Sequence, residues 1–352
     1  MSLDPDAEHV LEIIRASGRP PIQSLSPQEA REVYRASRKA LTPDPPDVAQ
    51  VDDLVAPGPG GAIPLRMYRG LGSSGKLPVL VFFHGGGFCI GDLDTHDYVC
   101  RYIANRTGCA VISVGYRLAP EHKFPAAVDD CFAAVSWAGE QAQMLEIDRG
   151  RFAVGGDSAG GNLSAVMSHM ARDGDLLPIC FQMLLYPSVE MSMRHPSYRL
   201  DFSRLPLSLE TVRYFHGHYL RDERDQADWR ASPLRAATFR GLAPAFILTA
   251  GYDPLRDEGA EYARILEEND VPIRAHERSN ARLPDYGAHR SSGRHGPRTR
   301  CDCAKEGICE KFVSQRWGHN CLQGRTPAGP KTQPQPFLSS SAPLERSWRP
   351  GL

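Results

Sequence analysis

Two kinds of polarity pattern alternate through most of the chain. In one, apolar residues run unbroken over a short stretch. "LPVLVFFHGGG" enters a glycine loop in this way, and "CAVISVGYRL", "RFAVGG", "CFQMLLYP" and "AFILTAG" repeat the pattern further along. In the other, apolar residues recur at helical spacing. Val128, Cys131, Phe132 and Val135 form one such face, and Leu163, Val166, Met167 and Met170 form another after Ser158. Val51 to Arg69 reads as two strands around the turn "APGPGG". Buried strands separated by amphipathic helices predict an α/β protein, with a mostly parallel sheet covered by helices on both faces.

Three regions break this rhythm. Residues 1–45 hold two helical patterns followed by the proline cluster "TPDPPD". The segment 189–236 is richer in Arg, Tyr and His and holds one helix, in "LSLETVRYFHGHYL". It reads as an insertion above the sheet, packed on the N-terminal helices as a cap. From about residue 278 the periodicity stops, and the tail 278–352 is dense in Pro, Arg, Ser and Gly, which predicts disorder. The catalytic-type domain is therefore expected over 46–277.

Charge sharpens the last boundary. From Arg278 on there are 13 Lys and Arg against 5 Asp and Glu, while the first 277 residues carry 28 against 37. An acidic body is thus joined to a basic tail. A net charge of −1 over 352 residues argues against a nucleic-acid or membrane partner for the whole chain. The tail's basic residues lack the aromatic interleaving of a nucleic-acid module, and a solvated tail is the reading. The start "MSLDPDAEHV" lacks the pattern of a secretory signal. No apolar run approaches the roughly 18 residues that span a bilayer. Nine scattered cysteines read as thiols in a reducing compartment, so a cytoplasmic location is expected. Cys301, Cys303, Cys309 and Cys321, with His319 nearby, do not have the paired spacing of zinc ligands, and no metal is expected.

Chemistry concentrates in "AVGGDSAGGN". Gly156-x-Ser158-x-Gly160 lies between an apolar strand and an amphipathic helix. A serine at such a turn is held in a strained backbone, with its hydroxyl clear of the sheet and a helix N-terminus beneath it. That marks Ser158 as the candidate nucleophile. The loop "FFHGGGFCIGD" ends an earlier strand. Its glycine N–H groups suit a developing oxyanion, so Gly86, Gly87 and the N–H of Ala159 are the expected donors. His84 is expected to order this loop.

"HGGGF", "YRLAPEHKFPAAVDD", "GGDSAGGN" and "GYDPLRDEG", in this order, resemble the hormone-sensitive-lipase-like carboxylesterase branch of the α/β-hydrolases, with agreement from about Leu77 to Glu277. The resemblance implies an α/β-hydrolase fold with a helical cap. It also implies a Ser-Asp-His triad acting on short or medium acyl esters, with no cofactor. It selects Asp253 as the acid over Asp257, which reads as the opening of the next helix. A serine hydroxyl needs an adjacent base, and the resemblance implies a histidine in a His-Gly-Phe setting after the last strand. Here that place reads "RSNARLPD". His276 falls inside the predicted strand, and His289 is the candidate base, with His295 further on. The lost histidine pattern, the charge break and the onset of prolines coincide near Arg278, which points to a changed reading frame or exon junction. An absent final helix would leave apolar surface open, favouring instability or association, with a homodimer as the candidate assembly. The competing reading is a hydrolase scaffold that binds small molecules or is inactive.

Overall fold

A computed structural model describes residues 5–202 and 205–278. Two helices come first, α1 (Pro5–Ala16) and α2 (Pro27–Leu41). Helix α2 starts with a reciprocal cap, in which the Ser26 hydroxyl accepts from the Glu29 N–H and the Glu29 carboxylate accepts from the Ser26 N–H. A hairpin follows, β1 (Gln50–Gly58) and β2 (Gly61–Arg69). Next come β3 (Leu77–Phe83), α3 (Asp97–Thr107), β4 (Ala110–Val114), α4 (Ala126–Glu140), β5 (Ile147–Asp157) and α5 (Ala159–Asp173). The described chain closes with β6 (Ile179–Leu185), α6 (Leu209–Tyr219), β7 (Ala245–Ala250), α7 (Arg256–Glu268) and β8 (Ile273–Arg278).

The strands form one sheet in the order β1-β2-β4-β3-β5-β6-β7-β8. The pairs β1–β2 and β2–β4 are antiparallel; every pair from β4–β3 to β7–β8 is parallel. Alternate residues of β3 serve opposite faces. Val79, Val81 and Phe83 pack with α4 and α5, whereas Leu80 and Phe82 pack with Cys100, Ile103 and Ala104 of α3. A strand clothed on both sides needs apolar residues almost throughout, which is why β3 and β4 read as apolar runs, β4 interrupted only by the buried Ser113. Leu184, Ala245 and Ile247 meet Tyr262, Ala263 and Leu266 of α7.

The predicted α/β architecture is therefore the observed one. One boundary differs: β5 begins at Ile147, well ahead of "RFAVGG". The polar start "IDRG" hid it. Asp148 Oδ1 there accepts from the Gly150 N–H at 2.9 Å, and the register with β3 shifts before regular pairing begins at Val79. The 189–236 segment holds α6 and three short 3-10 turns. It meets the N-terminal arm, where Thr211 Oγ1 donates to Gln23 Oε1 at 2.9 Å. No helix among the described residues is long and apolar enough to cross a membrane. The tail 279–352 lies outside the described residues, with His289, His295, His319 and the four tail cysteines.

Candidate active site

Ser158 sits between the last residue of β5 and the first of α5, at φ 51° and ψ −113°. A side-chain-bearing residue adopts a positive φ of this kind only when its surroundings enforce it. Here they do. The Ser158 N–H donates to the Leu185 carbonyl at 2.8 Å, and its carbonyl accepts from Asn162 and Ser188 N–H groups at 3.1 and 3.2 Å. The Asn162 side chain in turn donates to the Ser188 and Ala231 carbonyls, both at 2.7 Å. Gly160 completes the turn, because a Cβ there would press on the Phe83 carbonyl at the end of β3. The hydroxyl is thus lifted from the sheet edge into a cavity of about 490 Å³.

The glycine loop after β3 borders the same cavity through Gly86 and Gly87. Gly87 has φ +58°, and a Cβ on it would meet the Phe215 ring of α6. Ala159 occupies the first position of α5, where a helix leaves its N–H without an intrahelical acceptor. Gly86, Gly87 and Ala159 share the cavity wall with Ser158.

Residues that sequence reasoning passed over brace this loop. Asp157 Oδ1 accepts from the Gly85 N–H at 2.9 Å and lies 3.4 Å from His96 Nε2. Burial, the largest single influence, raises the Asp157 carboxyl, but His96, Arg38 and His84 together outweigh it and hold the group below its ordinary value. His84 Nδ1 bonds the Gly85 carbonyl at 2.8 Å, and its ring stacks on Tyr116 with centroids 4.3 Å apart. Burial, followed by the neighbouring His96, pushes His84 down to about 4, so it is neutral near pH 7. The imidazole belongs to the loop's support, in keeping with the role expected for it.

Helix α2 grips the loop from the other side. Arg31 Nε donates to the Cys89 carbonyl at 2.8 Å and its Nη2 to the Ala119 carbonyl at 2.9 Å. Arg35 pairs with Asp92, and Arg38 Nε donates to the Thr95 carbonyl at 3.2 Å. Three arginines at i, i+4 and i+7 thus line one helix face. That spacing was visible in "REVYRASR"; its target was not.

Asp253 follows β7 and also lines the cavity. Its Oδ1 accepts from the Leu255 N–H at 2.8 Å. Burial pushes its carboxyl up to about 7, with only that N–H pulling the other way. Among the described residues no cation faces it. Asp257 is occupied differently: Oδ2 accepts from the Ser197 N–H at 2.7 Å and Oδ1 from Arg256 Nε at 2.7 Å, in the first turn of α7. His276 lies in β8 opposite Leu248, the strand position expected for it. The candidate base His289 lies outside the described residues.

The family description "alpha/beta hydrolase fold" matches residues 80–281. Carboxylic ester hydrolase LipN of Mycobacterium tuberculosis is 45% identical over 275 residues, 75% of this chain and 72% of that protein. The ethyl acetate hydrolase of Pseudomonas putida is 37% identical over 283 residues, covering 78% and 88%. Among solved structures, an ester hydrolase from the metagenome of Lake Arreo, complexed with a derivative of bipyridine phosphonate, superposes with a TM-score of 0.77. It is 41% identical and covers 79% of this chain and 90% of its own. An esterase from Pyrobaculum calidifontis gives 0.79 at 34% identity, covering 90% and 100%. The chain is a carboxylesterase-like hydrolase and belongs to the carboxylesterase branch of the α/β-hydrolase family.

Proposed function

We propose that the chain hydrolyses short or medium acyl esters with Ser158 as nucleophile. The observation that carries this reading is the strained, hydrogen-bonded turn that presents Ser158 to a cavity shared with Gly86, Gly87 and Asp253. The Ser158 oxygen attacks the ester carbonyl carbon as its proton passes to a base. The carbonyl oxygen gains negative charge, and the N–H groups of Gly86, Gly87 and Ala159 receive it. Such donors are each worth on the order of 100- to 1000-fold in rate. The carbonyl re-forms, the base's proton goes to the departing alcohol, and water then releases the acid from Ser158 by the reverse exchange.

Asp253 holds the base in its working tautomer and stabilises its cation. Desolvation makes Asp253 hungry for such a partner, since a nearby imidazolium would restore the carboxylate. His289 is the candidate for that base. The cavity suits a short or medium acyl group, within the usual range of about 300–1000 Å³ for small-molecule sites. Residues 1–45 and 189–236 together form the cap over a hydrolase domain of residues 46–277. A scaffold that only binds small molecules finds no support in the relatives named above, which carry hydrolase and esterase names.

The test is turnover of p-nitrophenyl acetate and butyrate by the full chain and by Ser158→Ala, with fluorophosphonate labelling of each. Burst kinetics and labelling of the wild type alone are expected. Labelling that persists in Ser158→Ala would place the nucleophile elsewhere.

A further inference from the structure

Charge is unevenly spread around the cavity. Its carboxylates lie at the edge of the sheet where Ser158 stands, Asp157 at the end of β5 and Asp253 after β7. Its cations come from the N-terminal arm, Arg15 in the last turn of α1 and Arg19 in the link to α2. The lining His216 adds no charge near pH 7, because burial pushes it down to about 4. The two arginines are therefore the only cations of the wall among the described residues. Arg15 is already answered, its Nη1 lying 3.2 Å from Glu8 Oε1. Arg19 is not. Its one described hydrogen bond runs from Nη1 to the Ser37 hydroxyl, and no carboxylate pairs with it among the described residues.

Arg19 is exposed, yet it is seated. Ser37 Oγ donates its own proton to the Val33 carbonyl at 2.8 Å, so it offers a lone pair to Arg19 Nη1. That contact leaves Nε and Nη2, the edge of a guanidinium that takes a carboxylate through two parallel N–H bonds. Seating the side chain beforehand lowers the conformational entropy lost on binding. Pro20 and Pro21, which also line the cavity, stiffen the link. Gln23, further along it, spends Oε1 on Thr211 at 2.9 Å and keeps an NH2 with no described partner. The arm thus offers N–H donors and a positive charge, while the sheet edge offers carboxylates. A substrate with a negative group remote from its ester bond is drawn to one end of the cavity and repelled by the other, which aims the ester at Ser158.

We propose that Arg19, with the Gln23 amide on the same link, forms an anion-binding subsite that selects esters carrying a carboxylate at the far end of the acyl or alcohol chain. This substrate class rests on the ester-hydrolase reading of the cavity. Arg19 holds the remote carboxylate and takes no part in bond making. It is a specificity residue.

The test measures binding apart from turnover. Monoethyl esters of dicarboxylic acids and ω-acetoxyalkanoates, each over a series of chain lengths, are compared with neutral esters of equal length. Binding is read by ligand-observed NMR on the Ser158→Ala protein, and kcat/KM by pH-stat on the full chain. At least one anionic ester should be preferred about fivefold in both, the upper end for one exposed charge pair. Arg19→Gln should bring that ratio close to one, and Arg19→Lys should keep part of it. Salt at about 1 M should shrink it, since charges are then screened beyond about 3 Å. A ratio near one across both series, or a preference that survives Arg19→Gln, would overturn the subsite. Turnover of neutral and anionic esters alike would do so while leaving the hydrolase reading intact. Selective binding of an anionic ester by a chain that turns over neither would refute the hydrolase reading and leave the subsite standing.

Discussion

Replacing Asp253 by asparagine should stabilise the folded chain at pH 8 and leave it little changed at pH 4. In the unfolded chain this carboxyl titrates near 3.8; burial raises it to about 7 in the folded one. Between those values the folded state holds a proton that the unfolded state has lost. Wild-type stability therefore falls as pH rises through this window and is lowest above pH 7. A shift of about three units corresponds to about 4 kcal/mol. Asp253 is only half-buried and faces the cavity, so water screens part of the penalty and about 2 kcal/mol is the expected gain. Asparagine keeps an oxygen to accept from Leu255 and never carries the charge. Urea melts of both proteins at pH 4, 6 and 8 should give curves that meet at low pH and diverge above it, the variant on top. Esterase activity should fall in the same variant, about 10,000-fold if the aspartate steers a base. Parallel pH profiles, or a variant less stable at pH 8, would refute the reasoning. The carboxylate would then have a cationic neighbour that the described residues do not supply.

Other perturbations test neighbouring parts. Ser158→Ala should lower ester turnover at least about a thousandfold in the p-nitrophenyl assay. Gly87→Ala puts a methyl group at φ +58° against Phe215. It should cost about 1–3 kcal/mol in a thermal melt and on the order of 100-fold in rate. Arg117→Met should destabilise the chain by about 3–5 kcal/mol in urea, because the buried Asp130 loses side-chain bonds of 2.8 to 3.0 Å from the guanidinium. His289→Ala should abolish turnover, while His276→Ala should retain it; the reverse order would remove His289 as the candidate base.

What the chain revealed of itself follows from how local each signal is. Strands β3 and β4 were legible because burial on both faces leaves almost no polar position, Ser113 being the exception. The Ser158 turn and the loop of Gly86 and Gly87 were legible because backbone at positive φ and in close contact with its neighbours demands residues from a short list. The loop's braces were not. Asp157 and His96 are separated by sixty-one positions in the chain and meet only once the sheet is assembled. Nothing in "LSLETVRYFHGHYL" marks His216 as buried, and only the packed cap shows that it is. The start of β5 was hidden because a turn's chemistry overlies the first strand residues.

The arginine face of α2 has a consequence for how the pocket can evolve. Arg31, Arg35 and Arg38 fasten this helix to the main chain of Cys89 and Thr95 and to Asp92, just beyond the amide-bearing glycines. Displacing α2 to admit a large molecule would loosen those glycines too. Helix α1, which borders the same pocket through Leu11 and Ile14, makes no such connection among the hydrogen bonds described. Substitutions in α1 should therefore retune which alcohols and acids fit without slowing the chemistry, whereas substitutions in α2 should alter fit and rate together.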